Sequence, residues 1–199
     1  LLVSDAGRLM GAPRESGTRL DAALDTAVAI AAVAEELGDR CGVIAFDAAI
    51  RRHVRPRRAA ADGITRALFD LEPAPVDSDY ELAFRTALGG KRAFVLVLTD
   101  IVDESAARPL VEAVPLFARR HALAVASAVD PDLASLILTS PAMVGDAYAM
   151  SVAVDVQTAR DHAITLLRHS GAQVIQAPGP QLPAVCVSAY LRAKSRGRL

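Results

Sequence analysis

Two acidic side chains each follow an apolar run that is typical of a buried strand. Residues 1–4 lead to Asp5, and residues 93–98 lead to Thr99 and Asp100. Buried parallel strands read as continuous hydrophobic runs of this kind. If the two strands are neighbours that run the same way, both carboxylates emerge at the carboxyl edge of one sheet, where open α/β sheets bind ligands. That edge is the candidate site.

A third group of polar side chains, at Asp77, Ser78 and Asp79, comes directly before a predicted helix. Together with Asp5 and Asp100 these residues offer only oxygen ligands, and hard cations such as Mg²⁺ favour carboxylate, hydroxyl and water oxygens. The same residue types also serve as caps of helices and loops, and Asp77 or Ser78 can cap the predicted helix that follows. The pattern therefore leaves two interpretations open, a cation site and a set of structural caps.

Predicted strands and helices alternate along the chain in a way that could position these residues. The alternation predicts an α/β fold of three layers, with a doubly wound, mostly parallel six-stranded sheet and helices on both faces. An arginine-rich strand, followed by Pro56, is expected to run antiparallel at one edge. The predicted strands are residues 1–5, 41–46, 49–54, 93–98, 122–129 and 172–176, and the main helices are 20–37, 64–71, 80–88, 104–121, 146–169 and 182–194. Thr18, with the acid Asp21 three residues on, is predicted to cap the first helix.

Length and composition indicate one domain, residues 1–199, because 199 residues with 52% hydrophobic content suffice for a single core. The chain has no initiator Met and starts within a predicted strand. We therefore expect it to be the C-terminal fragment of a longer protein, which leaves open a membrane anchor upstream in that parent.

Charge and aromatic content argue against nucleic acid as the main partner. The net charge is -1, Trp is absent and aromatic residues make up 4% of the chain. No apolar stretch approaches the roughly 20 residues of a membrane span. The two cysteines, Cys41 and Cys186, lie far apart in apolar surroundings, which favours reduced thiols and a cytoplasmic location.

The order of four segments resembles a von Willebrand factor A-like domain: residues 5–10, residues 38–46, residues 77–80 and residues 98–100. More narrowly, the chain is similar to the bacterial family catalogued as domain of unknown function number fifty-eight, whose members are often encoded beside MoxR-type AAA+ ATPases. The resemblance covers nearly the whole chain. It implies a metal-ion-dependent adhesion site, built from an Asp-x-Ser-x-Ser loop, a Thr of a second loop and an Asp of a third.

In this sequence Asp5 matches the first acid of that site, Ser78 matches the Thr and Asp100 matches the last acid. Gly7 and Leu9 stand where the pattern has serines, so two hydroxyl ligands are missing. Mg²⁺ keeps several waters in proteins, which could replace them. The resemblance therefore implies a degenerate site, with Mg²⁺ binding expected to be weak or absent.

Arg8 offers an alternative to the metal ion, because its guanidinium could pair with Asp5 or Asp100 and supply the missing positive charge. We expect the binding surface at this edge to include residues from all three loops. These are Gly7, Arg8, Leu9, Asp79 and Asp103.

Two functions of different classes fit these residues. The first is a non-catalytic protein-binding module, an adaptor or partner of a MoxR-type AAA+ ATPase or of its client, with the arginine-rich residues 51–58 as a competing docking surface. The second is a Mg²⁺-dependent, phosphatase-like hydrolase that uses Asp5 as nucleophile. Enzymes of the class that this alternative resembles have a second Asp, which acts as acid and base, at the position where this sequence has Gly7. We therefore expect binding and not catalysis.

Overall fold

The strand that ends at Asp5 lies at the centre of one six-stranded sheet, in the order β3-β2-β1-β4-β5-β6. The computed structural model describes residues 1–13, 17–89, 91–102, 104–129, 131–141 and 143–197. All neighbouring strands are parallel except β2 and β3. The strands are β1 (Leu2–Asp5), β2 (Cys41–Phe46), β3 (Ile50–Arg57), β4 (Phe94–Leu98), β5 (Ala122–Val129) and β6 (Gln173–Pro178).

Helices cover both faces of the sheet. Since successive residues of a strand point to opposite faces, Leu2 faces one core and Val3 faces the other. The first core is closed by α1, α2 and α7, and the second by α3, α4 and α6. The helices are α1 (Arg19–Glu36), α2 (Ala61–Leu68), α3 (Tyr80–Ala87), α4 (Glu104–Ala118), α5 (Pro131–Leu138), α6 (Val144–His169) and α7 (Leu182–Ser195).

This architecture confirms the predicted fold class, including the antiparallel edge. β1 and β4 are parallel neighbours, with Leu2 beside Leu96 and Ser4 beside Leu98. Two turns of 3₁₀ helix, Arg8–Gly11 and Gly179–Gln181, complete the described elements. Both strands that carry the candidate acids therefore end at the same edge, as the site requires.

The start of α1 follows directly from its sequence. The Oγ1 of Thr18 accepts a hydrogen bond from the backbone N–H of Asp21, and the carboxylate of Asp21 accepts one from the N–H of Thr18 at 2.6 Å. This capping box satisfies two backbone donors at the helix start. It sets the position of Arg19, the first residue of the helix, which reaches the candidate site.

Helix α2 begins and ends three residues earlier than predicted. The reason is a tertiary contact, since the carboxylate of Glu35 in α1 accepts the backbone N–H of Ala61 at 2.9 Å and so caps the helix from outside. Among the described residues no helix has the length and apolar character needed to cross a bilayer. Cys41 and Cys186 are buried free thiols, as expected.

Asp39 ties the end of α1 to α7. Its carboxylate accepts hydrogen bonds from the Tyr190 hydroxyl and, at 2.5 Å, from the Lys194 ammonium. Burial works to raise the pKa of Asp39, but the hydrogen bonds from Lys194 and Tyr190 and the charges of Lys194 and Arg58 outweigh it. The pKa of Asp39 therefore lies below its ordinary value, and the charged carboxylate stabilises the fold.

Replacing Asp39 by Asn should lower the free energy of unfolding by about 1 kcal/mol at neutral pH, because two charge-assisted hydrogen bonds at a partly exposed position become weaker. A depressed pKa means that this stability is present above the pKa of the unfolded chain, about 4, and is lost as the pH falls through the folded pKa. The difference between the two proteins should therefore shrink below about pH 4. Urea unfolding of both proteins at several pH values measures this difference in unfolding free energy.

Asp25→Asn is the matched control, since Asp25 is an exposed aspartate on α1, the helix that precedes Asp39. It should change the unfolding free energy little at any pH. An equal effect of both substitutions, or a difference for Asp39→Asn that does not vary with pH, would contradict the role given to Asp39.

Candidate functional site

Asp5 is the last residue of β1 and is 2% exposed. One carboxylate oxygen accepts hydrogen bonds from the backbone N–H of Gly7 at 2.8 Å and from the Ser78 hydroxyl at 2.5 Å. The other accepts from the Tyr80 hydroxyl at 2.8 Å and from the Thr99 hydroxyl at 2.7 Å. Four neutral donors from three separate segments therefore surround this carboxylate.

Tyr80 stays a hydrogen-bond donor throughout the ordinary pH range. Burial raises the pKa of its hydroxyl well above the ordinary value, and the negative charge of Asp5 raises it further. Its ring packs edge-on against Phe46, with 5.4 Å between the ring centroids. Tyr80 thus connects the site to the core on the α3 side of the sheet.

Gly7 leaves the space that the Ser78 hydroxyl occupies. A Cβ at position 7 would collide with Ser78 Oγ and would lie 3.0 Å from the carbonyl oxygen of Val76. The serine that the resemblance implies at position 7 therefore cannot be accommodated while Ser78 keeps its place. Ser78, from another loop, supplies the hydroxyl beside Asp5.

Asp100 is 3% exposed and lies between two arginines from opposite sides of the sheet. One carboxylate oxygen pairs with Arg19 of α1, and the other accepts from Arg160 of α6 at 3.3 Å and from the Ser127 hydroxyl at 3.2 Å. Arg160 also donates to the carbonyl oxygen of Ile101 at 3.0 Å. The charge of Asp100 is thus balanced by the protein's own cations.

The predicted pairing of Arg8 with Asp5 or Asp100 is wrong. The Arg8 guanidinium donates to one Asp77 oxygen at 3.1 and 2.8 Å, and both side chains are exposed. The backbone causes this outcome, because the N–H of Arg8 bonds the carbonyl of Val76 at 2.9 Å and so brings Arg8 beside Asp77. Neutralisation of an acid by arginine does occur at this site, but through Arg19 and Arg160.

Asp79 caps α3, since its carboxylate accepts the backbone N–H of Leu82 at 2.9 Å. The expectation that Asp77 or Ser78 would cap this helix is wrong, because Arg8 engages the first and Asp5 the second. Of the other residues assigned to the binding surface, Leu9 is half-buried in the 3₁₀ turn, and Asp103 lies outside the described residues.

The donor set beside the two acids does not fit a bound cation as it stands. All four carboxylate oxygens of Asp5 and Asp100 already accept hydrogen bonds, and two of the donors to Asp100 are guanidinium groups. A divalent ion would have to displace donors and would lie beside two positive charges. Among the described residues no three His, Cys, Asp or Glu side chains form a metal-ligating cluster.

The space beside Asp100 is also small. The cavity that contacts Arg19, Thr99 and Asp100 measures about 10 Å³, which is close to the room that one water molecule requires. Small-molecule sites have volumes of roughly 300–1,000 Å³. The cavity at this edge therefore has no room for an organic substrate.

Sequence reasoning missed several residues of the site. A signal existed for Arg160, which stands on the same helical stripe as the buried residues Ala153, Ala163 and Leu167. A charged residue on an apolar stripe requires a buried partner. The residues that were missed as site members are Arg19, Tyr80, Ser127 and Arg160.

Comparison with solved structures finds a similar α/β fold in three proteins, one of which is a von Willebrand A (VWA) domain. BatB from Bacteroides thetaiotaomicron, a conserved hypothetical protein, has a TM-score of 0.61 at 14% identity over 97% of each chain. An aerotolerance-related membrane protein from Bacteroides fragilis, with multiple mutations to serines, has a TM-score of 0.60 at 13% identity, over 98% of this chain and 97% of its own chain. The SpRpn10 VWA domain has a TM-score of 0.53 at 14% identity, over 94% of this chain and 92% of its own chain.

At the level of sequence, residues 7–172 match the family described as Protein of unknown function DUF58, and the chain belongs to that family. No curated protein matches the sequence. The family and the fold agree with the resemblance drawn from the ordered segments that carry Asp5, Ser78 and Asp100.

Replacing Asp100 by Asn, or Arg160 by Met, should lower the free energy of unfolding by about 3 kcal/mol, because the first change leaves the buried Arg160 guanidinium without its anion and the second removes one of the two cations that hold Asp100. The combined variant should cost less than the sum, since the contact is lost only once. Urea unfolding of the four proteins gives the coupling energy directly.

Arg66→Met is the control, because Arg66 pairs with Asp62 in a contact where both side chains are about three-quarters exposed. It should change the unfolding free energy by about 0.5 kcal/mol or less. Strict additivity of the Asp100 and Arg160 substitutions would show that the buried pair is not energetically coupled.

Proposed function

We propose that this chain is a non-catalytic protein-binding module that docks a MoxR-type AAA+ ATPase, or the client of that ATPase, at the carboxyl edge of its sheet. The observation that carries the proposal is an apolar helical projection beside the candidate site. An AAA+ ATPase consumes ATP, so the proposal includes a cytoplasmic location for the domain.

Helices α5 and α6 extend past the carboxyl edge. Arg160 bonds the carbonyl of Ile101, three residues after β4 ends, while the last residue of α6, His169, leads back to the start of β6. The part of α6 before Arg160, residues 144–159, therefore lies beyond that edge and extends about 24 Å along the helix axis. Helix α5 packs beside it.

Large apolar side chains on this projection are exposed to solvent. Exposed apolar patches on soluble domains mark interaction surfaces, because leaving such area in water is unfavourable. Val144, for example, is 89% exposed. The exposed residues of the α5–α6 projection are Leu136, Leu138, Met143, Val144, Tyr148, Val152 and Val154.

The exposed part of the neighbouring loops adds charge to the same edge. Arg8 and Asp77 form an exposed ion pair there, whereas Asp5 and Asp100 are buried and cannot touch a partner directly. Mixed charge beside an apolar patch suits protein recognition, since the patch supplies affinity and the charges supply orientation. The buried acids act by fixing the loops that present this surface.

A binding role agrees better with the site than hydrolysis does. Asp5 has both oxygens engaged by four donors, and Gly7 supplies no acid or base beside it. A nucleophilic carboxylate needs access to its substrate. We therefore regard the site as a degenerate adhesion site, in which hydrogen bonds and arginines take the place of a metal ion.

Mg²⁺ should bind weakly or not at all, with a Kd above about 1 mM, because Arg19 and Arg160 already neutralise Asp100. Calorimetric titration and the melting temperature in the presence of MgCl₂ measure this. Micromolar, stoichiometric binding that disappears in Asp5→Asn would overturn the degenerate-site interpretation and would leave the docking proposal to its own test.

Leu138→Asp combined with Tyr148→Asp should weaken association with a MoxR-type ATPase by at least roughly tenfold, because charged groups replace apolar contact area. Arg8→Glu should weaken it less, as a change of one exposed charge. Binding of the purified ATPase to the surface-immobilised domain and its variants measures these affinities directly.

Phe69→Asp is the matched control, since Phe69 is 89% exposed at the end of α2, away from the projection. Arg52→Glu with Arg55→Glu tests the competing surface on β3, which carries its arginines at the sheet edge. Association that is lost only in the arginine variant assigns docking to β3. If the unmodified domain does not bind the ATPase, the proposal that a MoxR-type ATPase is the partner is wrong.

A further inference from the structure

The amino edge of the sheet, opposite the candidate site, contains a cavity of about 260 Å³. It lies where β4, β5 and β6 begin and where α7 ends. Four polar side chains line it, from His121, Gln173, Arg192 and Arg196, and the lining residues of the described chain include no carboxylate. The cavity is thus bordered by hydrogen-bond donors and positive charge.

His121 is buried against this cavity without a partner. It lies in the turn between α4 and β5, is 6% exposed, and packs its ring beside Phe117 with 5.9 Å between the centroids. Within the described part of the chain neither ring nitrogen makes a hydrogen bond. Because buried polar groups are almost always satisfied, an unpartnered ring that lines a cavity points to a bound group that supplies the missing bond.

The charge around His121 favours an anion. Arg192 and Arg196 end α7 at the cavity, and the described residues supply no acidic partner for either guanidinium. The carboxyl ends of α4 and α7 carry partial negative charges of about half a unit each, which oppose an anion. Two full guanidinium charges, with Arg120 nearby, outweigh them.

We propose that this cavity binds a phosphate group, held by Arg192 and Arg196 and completed by His121 and Gln173. Guanidinium groups donate pairs of parallel hydrogen bonds that match phosphate oxygens. At about 260 Å³ the cavity lies below the range of drug-sized ligand sites, so it suits a small ion or one headgroup. The phosphate comes either from solution or from an anionic lipid.

Binding of the phosphate group should strengthen as the pH falls, because protonation of His121 adds a positive charge at the cavity. Burial lowers the pKa of His121, and the positive charge of Arg120 lowers it further. Arg120 is the charged side chain that acts on the ring, and Arg192 and Arg196 line the same cavity, so the charged side chains around His121 are cationic. A bound anion raises the pKa of the imidazole again, because it favours the protonated form.

Calorimetric titration with inorganic phosphate, and with sulfate, tests the cavity directly. We expect saturable binding of one ion, weakened at least roughly tenfold by Arg192→Gln with Arg196→Gln, since charged hydrogen bonds are lost. Arg55→Gln with Arg58→Gln is the control, because it removes the same charge from exposed positions on and beside β3. It should leave the affinity unchanged.

Sulfate keeps its charge between neutral and mildly acidic pH, so its affinity isolates the protonation of His121. That affinity should rise as the pH falls, and the imidazole signals of His121 in NMR spectra should shift on titration. Absence of saturable binding by both ions and by lipid, or equal loss in the two arginine double variants, would overturn the proposal.

Vesicles of phosphatidylglycerol, compared with vesicles of phosphatidylcholine, distinguish the two sources. Sedimentation of the domain with the anionic vesicles, lost in the Arg192 and Arg196 variant but kept in the Arg55 and Arg58 variant, assigns a lipid headgroup. Binding of free phosphate without vesicle binding assigns the soluble ion. Equal loss of vesicle binding in both variants indicates only general attraction of positive charge, which contradicts a site.

Discussion

The contact of Asp100 with Arg19 and Arg160 holds the three layers of the domain together at one point. Asp100 follows β4, Arg19 begins α1 on one face of the sheet, and Arg160 belongs to α6 on the other. Removing Asp100 would leave the buried Arg160 guanidinium without its anion, and removing either arginine would take away one of the two cations that hold Asp100, so the three residues depend on one another. The positions of both helices, and of the projection that α6 forms, therefore rest on this carboxylate.

The two edges of the sheet differ in chemistry. At the carboxyl edge the acids are buried and satisfied, and the exposed features are an apolar projection and a single ion pair. At the amino edge the exposed groups are mainly basic and surround a cavity with an unpartnered imidazole. A domain of this kind can hold a protein partner at one edge and a small anion at the other without competition between them.

The sequence predicted those features that depend on local periodicity. Apolar runs ended at Asp5 and Asp100 as expected, and Thr18 with Asp21 formed the capping box that starts α1. Pairings between distant segments were not predictable in the same way. Arg19 and Arg160 lie 81 and 60 residues from Asp100, so their meeting depends on how the helices pack. Likewise Asp79 caps α3, whereas Asp77 pairs with Arg8 and Ser78 donates to Asp5, contacts that join segments far apart in sequence.

The close approach of Gly7 and Ser78 has a consequence for the divergence of the family. A side chain at position 7 collides with the Ser78 hydroxyl in its present position, so a change at position 7 requires that hydroxyl to move. A lineage that regains a serine after Asp5 must first move or replace Ser78, and every intermediate must keep the carboxylate of Asp5 satisfied. Glycine at position 7 and serine at position 78 should therefore tend to occur together in relatives that keep this hydrogen bond to Asp5.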